Sequence, residues 1–270
     1  MTTPERPVST SSLAAILQAG RWRLTDWHAE PTPLLYVVNR GQGRVSVCGK
    51  TRGFSGPCHL YVPARATTRF EFPTPVFGHR VAFGPGFDGQ LPDTPVLLRA
   101  TTTQTQGEIT WLLGQIEGEA DAATEDADVA IAAYGTLLAL AVTRLHQREG
   151  AAEWSQSKAE TIVAGFTALI ERDIAAAPES PPSVAAYAAR LGITPTHLTR
   201  VCQTVTELGA STLVQDRLLA EARRRLADTP APVHQIAQSL GYGSAAYFAR
   251  SFGARMGQTP TAARRMLRAE

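Results

Sequence analysis

Near its C-terminus the chain carries the same pattern twice. AYAARLG, from Ala186 to Gly192, corresponds to QIAQSLG, from Gln235 to Gly241, at an offset of 49. Past the glycine the offset becomes 50: Thr194 matches Ser244, Leu198 matches Phe248, Arg200 matches Arg250 and Cys202 matches Phe252. Each copy predicts a short helix, a glycine turn, and a second helix opened by a hydroxyl side chain that can cap it. Between them lies STLVQDRLLAEARRRLADTPAP, with Leu213, Leu218, Leu219, Ala222 and Leu226 on one side. That spacing predicts a helix over 211–227, about 25 Å long, which fixes the two copies relative to each other.

Helix, tight turn, helix is the pattern in which a second helix enters the major groove of DNA. The first unit spans about 183–205 and the second about 233–254. In the first, Leu198, Val201, Cys202 and Val205 face inward, while Thr196, Thr199, Arg200 and Gln203 share the opposite face. Arg200 has the geometry to read a guanine edge with two hydrogen bonds, and a threonine can offer a hydroxyl or pack its methyl on thymine. For an isolated helix, ordinary solvent exposure would be the better explanation of that face; the repeat tips the balance. Charge agrees. Residues 178–270 hold 11 Lys/Arg against 6 Asp/Glu, and residues 1–177 hold 15 against 18, so a basic tail follows an acidic front. Arg217, Arg223, Arg224 and Arg225 are available for phosphates or for acidic partners within the domain.

The front half has a different texture. The first dozen residues form a polar, Pro-containing tail without a leader pattern. From about Trp22 to Phe87, short β-branched and aromatic runs punctuated by Gly and Pro predict an antiparallel sandwich or barrel. PLLYVVNRGQGRVSVCG reads as two strands joined at residues 39–43, HLYVPARATTRFEFP as two more, and VFGHRVAFG as another. After Leu98 the spacing turns helical. One stripe carries Ile109, Leu112, Leu113 and Ile116, and the next Leu137, Leu138, Ala141, Val142 and Leu145. Helices this apolar must pack on the sheet or on a second subunit, and paired DNA half-sites favour a homodimer. The run AAYGTLLALAVTRL is too short to span a bilayer, so no membrane role is expected. Three scattered cysteines fit a reducing compartment, and the cytoplasm is the expected location. A last helix, with Ile162, Phe166, Leu169 and Ile170 as its apolar side, ends at Pro178, Pro181 and Pro182. The boundary between halves is placed near 150–156, giving domains over 13–150 and 156–270.

From about Ser183 to Arg265 the chain resembles the AraC/XylS family of bacterial transcription regulators. AEARRRL, QIAQSLGYGSAAYFARSF and GQTP carry the resemblance. It implies a two-domain α+β protein: an N-terminal cupin-like β-barrel with packed helices, and a C-terminal all-α domain with two helix-turn-helix units. The implied base readers are Thr196, Thr199 and Arg200 in the first unit and Ala245, Ala246, Ala249 and Arg250 in the second, with Gln203 on the same face as the first set. Three alanines leave the second unit with Arg250 as its one long hydrogen-bonding side chain, so the first unit is expected to discriminate bases more sharply. Ala263 departs from the family, which often has an aromatic residue there; Met266 or Leu267 would compensate.

The front half resembles the family's effector domain less closely, and its helices look most like the subgroup that responds to aromatic acids. A carboxylate effector calls for an arginine and apolar walls, which makes Arg44, Arg65, Arg69, Arg80, Trp27 and Tyr36 the effector-binding candidates. His28, His59 and His79 stand singly, outside metal-binding cupin spacing, so neither metal, cofactor nor catalytic residue is expected. The resulting expectation is an effector-controlled activator that binds double-stranded DNA, with RNA polymerase as a further partner. The competing readings are a cupin-type enzyme with an accessory DNA-binding tail and a DNA-binding protein without ligand response.

Overall fold

The structure, a computed structural model, describes residues 6–85, 87–99, 103–150, 157–177 and 183–269. Among the described residues, the N-terminal region has eight strands in two open antiparallel sheets rather than a closed barrel. The larger sheet orders β1 (Val8–Ser12), β7 (Phe77–Phe83), β2 (Leu34–Arg40), β5 (Cys58–Val62) and β8 (Val96–Arg99). The smaller orders β4 (Lys50–Ser55), β3 (Gln42–Val47) and β6 (Thr68–Glu71). Residues 34–38 of β2 and all of β5 are buried, because the large sheet is covered on both faces. Tyr36, Val38, Leu60 and Val62 join Val45, Val47 and Phe70 of the small sheet in one core. Leu35, Val37, Tyr61 and Val81 pack instead against Ile109, Leu112, Ile131, Leu138 and Val142 of a helical hairpin, α3 (Thr103–Ala122) and α4 (Ala127–Leu145).

Several sequence expectations change here. Val8–Ser12, read as polar tail, is a strand paired along its length with β7. Polar composition misled because this edge strand buries only Val8. Trp22–Thr25, read as the start of β structure, forms a short helix, α2, after α1 (Leu13–Gln18). The predicted strand pairs are strands but not hairpins: β2 and β3 lie in different sheets, as do β5 and β6. Gly41, at φ 107°, lies where the chain leaves one sheet for the other. Leu137, expected inside, is 48% exposed. The apolar run thought too short belongs to a helical stretch, Ala127–Arg148, of 22 residues and mean hydropathy 1.5, long and apolar enough to cross a membrane by length and composition. Here Ile131, Leu138 and Val142 bury it against the sheet.

His59 sits in β5, 1% exposed, and its Nδ1 lacks a hydrogen-bond partner. Burial disfavours the imidazolium and pushes its pKa down to about 4. The unfolded chain takes up this proton near pH 6.5 and the folded chain only near 4. Stability is therefore complete above about pH 6.5 and falls as the pH drops to about 4, by about 3 kcal/mol. His59→Leu should lessen that dependence in urea unfolding between those pH values, leaving the part due to His28, whose pKa burial also lowers.

The C-terminal region is all helical. It comprises α5 (Lys158–Ala176), α6 (Val184–Arg190), α7 (Pro195–Thr206), α8 (Ala210–Asp228), α9 (Val233–Ser239), α10 (Ala245–Met256) and α11 (Pro260–Ala269). The boundary expected near 150–156 and the three prolines fall outside the described residues, apart from Gly150 at the end of a π-helical turn. Ser157 and Glu160 form a capping box at the start of α5, satisfying two otherwise free N–H groups. Phe166, Ile170, Leu198, Cys202, Leu213, Leu219, Ala222, Ile236, Phe248 and Phe252 share one core with Ala263. Ala263 is fully enclosed there; Leu267 packs at its edge, and Met266 points outward.

Candidate nucleic-acid interface

The two repeated units adopt the same local geometry. Ser183 caps α6 and Thr194 caps α7, where Pro195 sits at the first position and sacrifices no helical bond. Ser244 caps α10. Both turns use a glycine in the left-handed region, Gly192 at φ 69° and Gly241 at φ 79°. The N–H of Ile193 bonds the carbonyl of Ala188, and the N–H of Tyr242 bonds that of Ala237, each at 3.0 Å. The turns therefore match through Tyr242, which identifies Gly243 as the extra residue of the second unit.

On α7, Thr196, Thr199, Arg200 and Gln203 are all exposed and line one shallow concavity with Pro195 and Thr204. Their hydrogen-bonding capacities differ. The Thr199 hydroxyl donates to the Pro195 carbonyl at 3.0 Å, leaving an acceptor and a methyl for a groove. Gln203 donates through Nε2 to the Glu207 carbonyl at 2.7 Å, so one amide N–H closes the end of the helix. Thr196 has no internal side-chain bond among the described residues. Arg200 Nη2 lies 3.2 Å from His197 Nδ1, a contact the sequence reading missed although the two residues are one helical turn apart. Because an arginine only donates, His197 must present an unprotonated Nδ1 to it. On α10, Ala245, Ala246 and Arg250 are exposed, and Ala249 is half-buried.

The arginine count overstated the surface available to a polyanion. Arg217 is buried, with Nε 2.5 Å and Nη2 2.8 Å from the Glu171 carboxylate. Glu221 accepts from Arg224 at 2.6 Å and from Arg225 at 2.9 Å. Hydrogen bonds from Arg224 and Arg225, with the charge of Arg217, outweigh burial and hold its carboxyl down to about 2. Arg223 pairs with Asp26 at 3.1 Å, and Arg255 with Asp216 at 2.6 Å. Arg264 and Arg268 donate to the Ala231 and Thr229 carbonyls. Of the two alternatives left open for Arg217, Arg223, Arg224 and Arg225, partners within the protein hold all four.

The effector candidates separate. Trp27 and Arg80 line a cleft between the sheet region and α8. Tyr36 is cross-strand neighbour to Arg80, 1% exposed, and packs edge-on to Phe70 at 4.8 Å. Arg69 stands over the Trp27 ring at 5.9 Å. Arg44 and Arg65 are exposed and line no part of that cleft. His28 and Arg224, which also line the cleft, were not singled out as effector ligands; no local spacing links residues some 200 positions apart.

Residues 187–266 match the family model described as a helix-turn-helix domain. No curated protein matches the chain. Among solved structures, a transcriptional regulator with an AraC-type DNA-binding domain from Chromobacterium violaceum is 21% identical, with a TM-score of 0.37 over 42% of this chain and 96% of that one. Unsaturated fatty acid-bound ToxT from Vibrio cholerae is 11% identical, with a TM-score of 0.48 over 97% of this chain and 96% of that one. The DNA-binding domain of AdpA in complex with a target DNA is 19% identical, with a TM-score of 0.35 over 39% of this chain and 94% of that one.

Proposed function

We propose that this chain, whose residues 187–266 match a helix-turn-helix domain, is a sequence-specific transcription activator of the AraC/XylS type controlled by a small effector. One observation carries the reading. Two helix-turn-helix units of matching geometry share the core built on α8, and α7 presents an exposed polar face while the neighbouring arginines are held internally. A pair of units on one support can address successive major grooves, roughly 34 Å apart. In this reading Arg200 and the two threonines supply most base discrimination. Arg250 and backbone contacts anchor the second unit. The protein acts in the cytoplasm with RNA polymerase as a further partner, and no turnover is involved.

Dimerisation fits the helical hairpin. Trp111 on α3 and Val129, Leu137 and Leu140 on α4 are large apolar side chains left exposed. We assign this face to a second copy of the chain, pairing two half-sites by two-fold symmetry. Sedimentation of Leu137→Glu/Leu140→Glu should give a monomer with unchanged helicity; a variant that still dimerises would rule out this face.

The whole reading is tested by selecting operator DNA from a random pool with purified protein at two salt concentrations. Enrichment of one motif that survives the higher salt supports it, since the phosphate contribution weakens steeply with salt while base discrimination persists. Retention of all sequences alike would sink it.

A further inference from the structure

The effector-controlled reading leaves open where a ligand binds, and the space between the two sheets is filled. Tyr36, Phe54, Phe70 and Phe72 pack ring against ring there, with centroids 4.8–6.3 Å apart. Room exists instead at the seam between domains. A cleft of about 290 Å³ is lined by Trp22, Trp27, His28 and Arg80 on one side and by Ala220 and Arg224 of α8 on the other.

We propose that this seam cleft is the effector site, and that it takes a small carboxylate with a flat or apolar body.

Three features point to that chemistry. The first is unmet hydrogen bonding. Four residues of the cleft wall each carry a buried polar atom without a partner: Trp22 Nε1, Trp27 Nε1, His28 Nε2 and Arg80 Nε. Three of these are donors, and buried donors left unpaired are uncommon. His28 Nδ1 lies 3.0 Å from the Asp26 carbonyl, so Nδ1 carries the proton and Nε2 remains an acceptor. All four atoms are enclosed as the protein stands, so a carboxylate would satisfy such a donor only once its side chain turns into the cleft.

The second feature is charge. Five guanidiniums (Arg23, Arg80, Arg217, Arg223 and Arg224) meet five carboxylates (Asp26, Glu30, Glu171, Glu221 and Asp228) at the seam. Arg80 is the loosely held one: its nearest carboxylate oxygen, on Glu30, lies 4.0 Å away. The other four each have a carboxylate within 3.1 Å. Arg80 can therefore turn towards an incoming anion without breaking a tight pair.

The third is placement. Ala15 of α1 and Ala19 just beyond its end, with the two tryptophans, give the cleft an apolar wall suited to a flat body. Its far wall is α8, around which both helix-turn-helix units are packed. A ligand here touches the sheet region and α8 at once, so its binding depends on how the two meet. That differential affinity is what effector control requires.

The test is calorimetric titration of the full chain with benzoate, 4-hydroxybenzoate and octanoate, and with benzamide as a neutral isostere. At least one carboxylate should bind and benzamide should not. Arg80→Met should weaken the carboxylate about tenfold through loss of one charged hydrogen bond. Ala19→Trp, at an exposed position on the wall, should abolish binding by filling the cleft. Retained operator binding without ligand shows that both variants fold. No binding by any of the three carboxylates up to about 10 mM overturns the proposal. Carboxylate binding untouched by both variants also overturns it, moving the site elsewhere while leaving effector control intact. Failure to select any operator would count against the regulatory reading and not against the cleft.

Discussion

Arg217→Ala should cost the helical domain about 3–5 kcal/mol, the range for removing one partner of a buried ion pair. Arg217 is 5% exposed and makes both short bonds to Glu171, itself 6% exposed on α5. Glu221 would keep Arg224 and Arg225, but Glu171 would stay buried with no cation in contact. Burial already raises the Glu171 pKa, with Arg217 as the main opposing influence, so deleting the arginine raises it further. The sign of the pH dependence follows. A carboxyl whose folded pKa lies above its unfolded value favours the folded state when protonated. The variant's deficit should thus be small near the unfolded carboxylate value of about 4.3 and grow as the pH rises through the folded one. Urea unfolding followed by helicity at pH 5 and pH 8 reads this directly. Arg217→Met/Glu171→Leu should recover most of the loss, because an apolar pair in place of a buried ion pair is often neutral or better. Equal deficits at both pH values would mean that Glu171 is not the group left stranded.

Arg200→Ala should relax discrimination at one base pair of the operator by about 1–3 kcal/mol, the worth of a bidentate guanine contact. The other positions should hold their preference. Arg250→Ala should produce the second-largest loss, at a different base pair. Replacement of Ala245 or Ala246 by Gly should alter no hydrogen-bonded preference, since neither residue has a polar side chain to lose. His197 sharpens the experiment. Its Nδ1 lies within hydrogen-bonding distance of the Arg200 guanidinium, limiting the directions in which that side chain points. His197→Ala should weaken selectivity at the same base pair as Arg200→Ala, and His197→Asn should restore part of it through its amide oxygen. Competition binding against single-base operator variants gives these numbers. A uniform loss on every sequence would make Arg200 a phosphate contact instead.

The helical domain was legible in residue order because its signals are local. Ser183, Thr194 and Ser244 cap helices that begin beside them, and Gly192 and Gly241 adopt the left-handed turn that a following cap requires. The inward and outward faces of α7 follow from a spacing of three and four residues, and burial matches them: Leu198 and Cys202 are enclosed, while Arg200 and Gln203 are not. The sheet region was less legible. Alternation marks a strand but carries no record of its partner, so PLLYVVN and GRVSV looked like a hairpin although β2 and β3 belong to separate sheets. Val8–Ser12 holds one buried residue and looked like tail, because its contribution is mainly backbone hydrogen bonding to β7.

Residue order was therefore enough to define two repeated helix-turn-helix units, the helix between them and the residues each presents outward, since capping, turn geometry and helical period act over a few positions. Which charges remain free was decided in three dimensions. Arg217 meets Glu171 across 46 positions and Arg223 meets Asp26 across 197, and Coulomb attraction depends on distance in space rather than along the chain. The same holds for the seam, where Trp22, His28, Arg80 and Arg224 become neighbours because two separately built cores press together.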